Sequence, residues 1–350
     1  MTSTFLPRRP LLGLIGASSL AVALALPATP ARAADEPQSI LNATYDIGRE
    51  LFSAINPMFV EHWQKTQGKT LRIDQSFGGT SRQAQDIIQG KKADTVTFNQ
   101  VTDIEILARR KLVARDWASQ FPNNASPYYS TIAFMVRKGN PKKIRNWDDL
   151  ARPDVKLVFP NPKTSGNARY SYLAAWQFAL DKAGGNEDEA RTFMKALLGN
   201  VENFPTGGRG ATLAFAQNGQ GDVLLTFESE IMNLIAGEEF RKQGFELVVP
   251  PTSVMAAFPV AVVDKVAKAR GTQDVAHAYL QFQYSKPVQQ LLARHNLRVH
   301  DPEVSAANKA RFAEVKLFDP ATLPGGWEAI QKTHFASGAQ LDQLLAERPR

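Results

Sequence analysis

Cysteine is absent from the 350 residues. That one absence removes disulfides, thiolate metal sites, a thiol nucleophile and a lipoprotein anchor, so a chain this long must be held by its core. The five histidines, at positions 62, 277, 295, 300 and 334, are scattered along the chain and read as surface or core residues in preference to metal ligands. No G-x-S-x-G, Walker A or G-x-G-x-x-G occurs at the Gly-rich turns, which leaves no motif for a nucleophile elbow or a nucleotide loop. No basic run exceeds a few residues and none is interleaved with aromatics, so a nucleic-acid groove has no footprint. Neither a repeat of fixed period nor a low-complexity tract breaks the chain. These gaps leave enzyme, nucleic-acid and metal chemistry without support, and no cofactor is expected.

What is present begins with the amino terminus. Arg8 and Arg9 precede an apolar stretch from Leu11 to Leu26, followed by Ala31-Arg32-Ala33. A basic region, a short apolar region and a small-x-small site predict a cleaved export signal over residues 1–33, with the mature start near Ala34. The apolar stretch is short for a membrane anchor and is diluted by Gly and Ser. The signal holds three arginines and no acid, which leaves 38 basic residues against 34 acidic ones in the mature chain. That bias is mild for the size.

Past the signal, strand-like and helix-like segments alternate. "KTLRIDQSF" alternates in the manner of a strand, "SRQAQDIIQG" follows as a short helix closed by Gly90, and "ADTVTFN" and "TDIEILARRKLV" repeat the pair. The helix carrying Leu51, Phe52, Ile55, Phe59 and Trp63 is expected to break or kink near Pro57. "STIAFMVRKGNP" reads as one long apolar strand. This rhythm predicts α/β layers with mainly parallel strands, in two lobes with two crossovers.

Three turns share one form: "SFGGTSRQ" (76–83), "KTSGNAR" (163–169) and "TGGRGAT" (206–212), with "TYDIGRE" (44–50) as a fourth. Each leads from a strand into a helix. Glycine lets the backbone approach a ligand closely, Ser and Thr add hydroxyl donors, and the first turn of a helix presents unpaired N–H groups at the positive dipole end. A cleft lined by such turns holds an anion. Arg82, Arg169 and Arg209, one per turn, are expected to raise the potential around it without touching the ligand. Asp46, just before a helix, reads as an N-cap.

At these residues the chain resembles a known family. "NATYDIGRELF", "DQSFGGTSRQA", "PNPKTSGNARYSYLAAW", "TGGRGATLAFAQNGQGDVLLTFESE" and "FPVAVVDK" are similar to the sulfate- and thiosulfate-binding proteins of bacterial ABC importers, and the likeness runs from about Ile40 to the carboxyl end. It implies a periplasmic binding protein of type II: two α/β lobes joined by paired hinge strands near Tyr128 and Pro259, with the ligand cleft between them. The lobes would comprise 38–126 plus 261–345, and 127–260. It implies a monomer that passes sulfate or thiosulfate to membrane permease and ATPase subunits. Carried over by residue, the ligand-binding positions are the backbone of Asp46, the Thr80 hydroxyl with Ser81 beside it, Ser165, Gly166, the backbone of Asn167, and Gly208. Phe227 stands where the sulfate-binding pattern has a Trp donor, Thr80 where it has Ser, and Asn167 where a second Gly is usual. "KTSGNARY" and "TFESE" look like the thiosulfate-preferring branch. A receptor for another oxyanion, such as molybdate or phosphate, and an exported hydrolase are the alternatives.

Overall fold

A computed structural model describes residues 38–348; the expected export signal lies outside them. Four strands, Val260–Val262, Thr95–Thr97, Gln38–Thr44 and Leu71–Phe77, lie side by side in that order. Gln38–Thr44 runs parallel to both neighbours, and Val260–Val262 is antiparallel at the edge. A second sheet takes the order Val201–Asn203, Leu157–Val158, Val223–Phe227, Ile132–Val136, Glu246–Val248. The chain passes from the first sheet to the second through Tyr128–Ser130 and returns through Ala256–Ala257. These two segments pair antiparallel, with Arg298–Val299 as a third strand beside Tyr128–Ser130. Two α/β lobes joined by paired strands are the result.

The strand read from Ser130 onward is Ile132–Val136, and Ser130 itself ends the preceding strand. Tyr128–Ser130 belongs to the connecting sheet and Ile132–Val136 to the second lobe, with Thr131 between them. Ile132–Val136 is apolar throughout because both of its faces are covered: Ile132, Phe134 and Val136 enter the main core, while Ala133 and Met135 join a separate cluster with Phe215, Phe240 and Phe245. Periodicity alone cannot see a change of sheet inside an apolar run.

The first long helix, Arg49–Gln67, is unbroken although Pro57 lies inside it. Pro57 and Ser53, whose carbonyl the proline leaves unpaired, are both exposed, so water satisfies the lost bond. The carboxyl-terminal elements, grouped with the first lobe by sequence, make side-chain contacts with the second. Lys163 pairs with Asp342 at 2.5 Å, Arg191 with Glu347 at 2.7 Å, and Tyr172 with His334 at 3.1 Å. No helix of the described residues is long and apolar enough to cross a membrane.

Candidate functional site

Parallel strands deliver their carboxyl ends to one edge, and helices restart there. Gln38–Thr44 is followed by the short 3₁₀ turn Asp46–Gly48, and Leu71–Phe77 by the helix Thr80–Ile88. Leu157–Val158 leads to Gly166–Lys182, and Val201–Asn203 to Gly208–Thr212. None of these four starts has a side-chain cap from its own N-cap residue. Ser165 is the N-cap of Gly166–Lys182, is buried, and its hydroxyl makes no hydrogen bond among the described residues. First-turn N–H groups that neither helix nor cap satisfies need an outside acceptor.

Glycine brings the turns together. A Cβ on Gly79 would stand 2.6 Å from the Thr164 carbonyl oxygen and 3.6 Å from that of Thr206. On Gly166 it would meet Asn99 Oδ1 at 2.4 Å, and on Gly208 it would lie 3.5 Å from Asn167 Nδ2. The first, second and third turns therefore touch, and at Gly79 and Gly166 the contact leaves no room for a Cβ.

Behind the first two turns sits Asp103, fully buried in the first turn of Val101–Arg109. It accepts from Thr80 Oγ1 (2.7 Å), Ser81 Oγ (2.9 Å) and Arg169 Nη1 (3.3 Å). Arg169 also donates to Thr102 Oγ1 (2.8 Å) and the Pro162 carbonyl (3.0 Å). This revises the expectation at Thr80 and Ser81. Thr80 Oγ1 also lies 2.9 Å from Asn99 Oδ1, so each hydroxyl has its acceptor within the protein and the first turn offers the cleft its backbone N–H groups.

Asp46 is also revised. The N-cap of its helical turn is Tyr45, and the carboxylate reaches instead to the third turn: Oδ2 accepts from the Arg209 N–H and Oδ1 from the Ile47 N–H, both at 3.1 Å. It caps a helix distant in sequence. Burial raises its pKa, and the hydrogen bonds from Arg209 and Ile47 hold that rise back. With the Arg209 N–H taken, the Gly208 and Gly210 N–H groups are what the first turn of that helix has left. Behind this turn lies Glu230, which accepts from Thr212 Oγ1 at 2.6 Å and from Thr226 Oγ1; Thr226 in turn accepts from Asn167 Nδ2 at 2.7 Å. Burial pushes the Glu230 carboxyl up to about 7, against the two hydroxyl bonds that favour its charge.

The three arginines part ways. Arg169 is buried in an ion pair, Arg209 makes an exposed 3.8 Å pair with Glu50, and Arg82 is exposed. Phe227 ends its strand at the same edge, but its ring is fully buried against Phe258 and Tyr170, with centroids at 5.1 and 6.3 Å. Sequence reading missed Asp103 and Glu230. An acid in a helix's first turn is commonplace, and only the fold shows what each one faces.

Helix starts that keep unpaired N–H groups, gathered at the carboxyl edges of two lobes that paired strands join, define a solute-binding receptor. The comparisons give the family. A model described as bacterial extracellular solute-binding protein matches residues 47–298, and the chain belongs to that family. It is 53% identical to a thiosulfate-binding protein of Escherichia coli K12, over 88% of this chain and 91% of that one. It is 43% identical to the sulfate-binding protein of the same organism, over 87% and 92%. Among solved structures, the sulfate-binding protein SubI of Mycobacterium tuberculosis superposes with a TM-score of 0.76 at 33% identity, covering 85% of this chain and 99% of that chain.

Proposed function

We propose that this protein captures thiosulfate or sulfate in the periplasm and hands it to the permease and ATPase subunits of an ABC importer. It acts as a monomeric binding protein, exported by cleavage near Ala33-Ala34, and performs no reaction on its ligand. The observation that carries the reading is the set of helix starts at Asp46, Thr80, Gly166 and Gly208, none capped by its own N-cap side chain and three of them held together by glycine contacts. A dianion stripped of water is the acceptor such donors need, and the relatives' names point to the same chemistry. The donors are the backbone of Asp46, Thr80 and Ser81, the hydroxyl of Ser165, and the backbone of Gly166, Asn167 and Gly208.

Hydrogen bonds to a charged group contribute roughly 1.5–3 kcal/mol each. Six or seven, less the costs of desolvation and lobe closure, leave the ~8 kcal/mol of a micromolar site. Phe227 leaves one corner without an indole donor, which suits the larger, weakly accepting terminal sulfur of thiosulfate. The lobes, about 38–126 with 261 onward and 127–260, close on the ligand by a hinge at the paired strands. Titration calorimetry of the purified protein with thiosulfate, sulfate, molybdate and phosphate tests this. Micromolar binding of the first two, with the others far weaker, is the expected outcome. Preferential binding of molybdate or phosphate would replace the ligand, and heat from none of the four would remove the reading.

A further inference from the structure

The strand Thr95–Thr97 ends at the same carboxyl edge as the strands that lead into the site, and the helix Val101–Arg109 follows it with Gln100 as N-cap. Gln100 is fully buried. Its Oε1 accepts from the Thr102 N–H at 3.4 Å, so one end of the carboxamide is fixed by the helix it caps. The other end, Nε2, is shielded from solvent and has no hydrogen-bond partner among the described residues. A buried donor without an acceptor is costly and uncommon, and it asks for an explanation.

Its location supplies one. A Cβ on Gly166 would meet Gln100 Cβ at 2.6 Å, as well as Asn99 Oδ1 at 2.4 Å and the Asn99 carbonyl oxygen at 2.8 Å. The Asn99-Gln100 segment therefore lies flush against the start of Gly166–Lys182, and Gly166 is the residue that permits the contact. An unpaired amide donor is thus packed beside a helix start whose own first-turn N–H groups lack a side-chain cap. The nearest side-chain acceptor, Asn99 Oδ1, already accepts from Thr80 Oγ1 at 2.9 Å, so two sets of unpaired donors, on Gln100 and at the helix start, come from neighbouring residues and suit an acceptor-only ligand.

We propose that Gln100 is a further ligand-binding residue, its Nε2 donating to the bound oxyanion alongside the Gly166 and Asn167 N–H groups. This rests on the oxyanion reading above. The inserted amide also bears on selectivity, because a neutral donor on a side chain can follow a ligand atom to a longer distance in a way that a backbone N–H cannot.

The test uses calorimetric titration of sodium thiosulfate and sodium sulfate into the purified protein and two variants, with thermal midpoints recorded with and without anion. Gln100→Met keeps the length and removes the donor; it is expected to weaken binding about tenfold or more. Gln100→Glu keeps an oxygen for the Thr102 N–H and sets a negative charge where the donor stood. It is expected to weaken binding further and to shrink the anion-induced rise in midpoint, while the buried carboxylate lowers the anion-free midpoint. Affinities of both variants within twofold of the parent would overturn the proposal. So would a lowered midpoint with an undiminished anion-induced rise, which is the mark of a purely structural cap. If the Met variant fails to fold, the Glu variant decides alone. A parent that binds neither anion removes the oxyanion reading itself, an outcome distinct from any difference between parent and variants.

Discussion

Two buried acids stand behind the helix starts, and they are solved differently. Asp103 has a cation: Arg169 Nη1 lies 3.3 Å away, and the arginine's side chain is only 8% exposed. Glu230 has two threonine hydroxyls and no cation in contact, and burial lifts its carboxyl to about 7. Both tie two turns together. Asp103 holds the first turn, through Thr80 and Ser81, to Arg169 in the second. Glu230 holds the second turn, through Thr226 and Asn167, to the third through Thr212. The lesson is that turns offering neutral donors are tied together from behind by acids, one set against a cation and one met by hydroxyls.

The comparison breaks most visibly at Arg169. Arg169→Met leaves Asp103 buried without its cation, and urea unfolding without ligand is expected to show a loss of about 3–5 kcal/mol. Adding Asp103→Asn to that variant should recover a large part of it, since the penalty belongs to the uncompensated charge. A loss below 1 kcal/mol for the single variant would mean that Thr80 and Ser81 suffice to hold the acid.

Glu230 gives the second effect, and its sign runs opposite to that of an ion-paired carboxylate. Its folded pKa is raised from 4.5 to about 7, so between those values the unfolded chain releases a proton that the folded chain keeps. Stability from this group is therefore lost as pH rises through that window, by roughly 3 kcal/mol in all. Glu230→Gln has no proton to lose. The stability of the variant relative to the parent should climb by that amount between about pH 4.5 and 7.5, measured by denaturant midpoints along a pH series. A relative stability flat across the series would place the Glu230 pKa near its ordinary value.

The smallest effect is expected where charge is solvated. Arg209 and Glu50 lie 3.8 Å apart with side chains 55% and 65% exposed. Arg209→Gln should change stability by no more than a few tenths of a kcal/mol, with the Arg209 N–H bond to Asp46 kept because it belongs to the backbone. A loss above 1 kcal/mol in the same urea assay would make this pair a rival to Arg169–Asp103.

The parts legible in sequence were local. A strand, a Gly-rich turn and a helix are contiguous, so the turns at Thr80, Gly166 and Gly208 could be read directly, and the two-lobed fold followed from their rhythm and the resemblance. Asp46 was misassigned by one register step: an acid before a helix usually caps it, but here Tyr45 holds that position and the carboxylate crosses to Arg209. Asp103, Glu230 and Gln100 were invisible for one shared reason. Each lies in or just before the first turn of a helix, where acids and amides are expected anyway, and what it faces across the fold, Arg169, Thr212 or Gly166, is distant in sequence. In "FESE", Glu228 pairs with Arg298 at 2.7 Å while Glu230 finds only hydroxyls, and nothing in the four letters separates them.

Gly79 holds a consequence of a mechanical kind. Its backbone is ordinary for any residue, with φ of −56°, yet a methyl group there would press on the Thr164 carbonyl oxygen at 2.6 Å. Gly79→Ala would thus act as a doorstop, leaving each half of the molecule intact while keeping the two jaws from meeting. A receptor propped ajar in this way would have a larger radius of gyration by small-angle scattering, unchanged by saturating anion. It would be a practical reagent for asking whether the membrane machinery senses the open shape or the filled one.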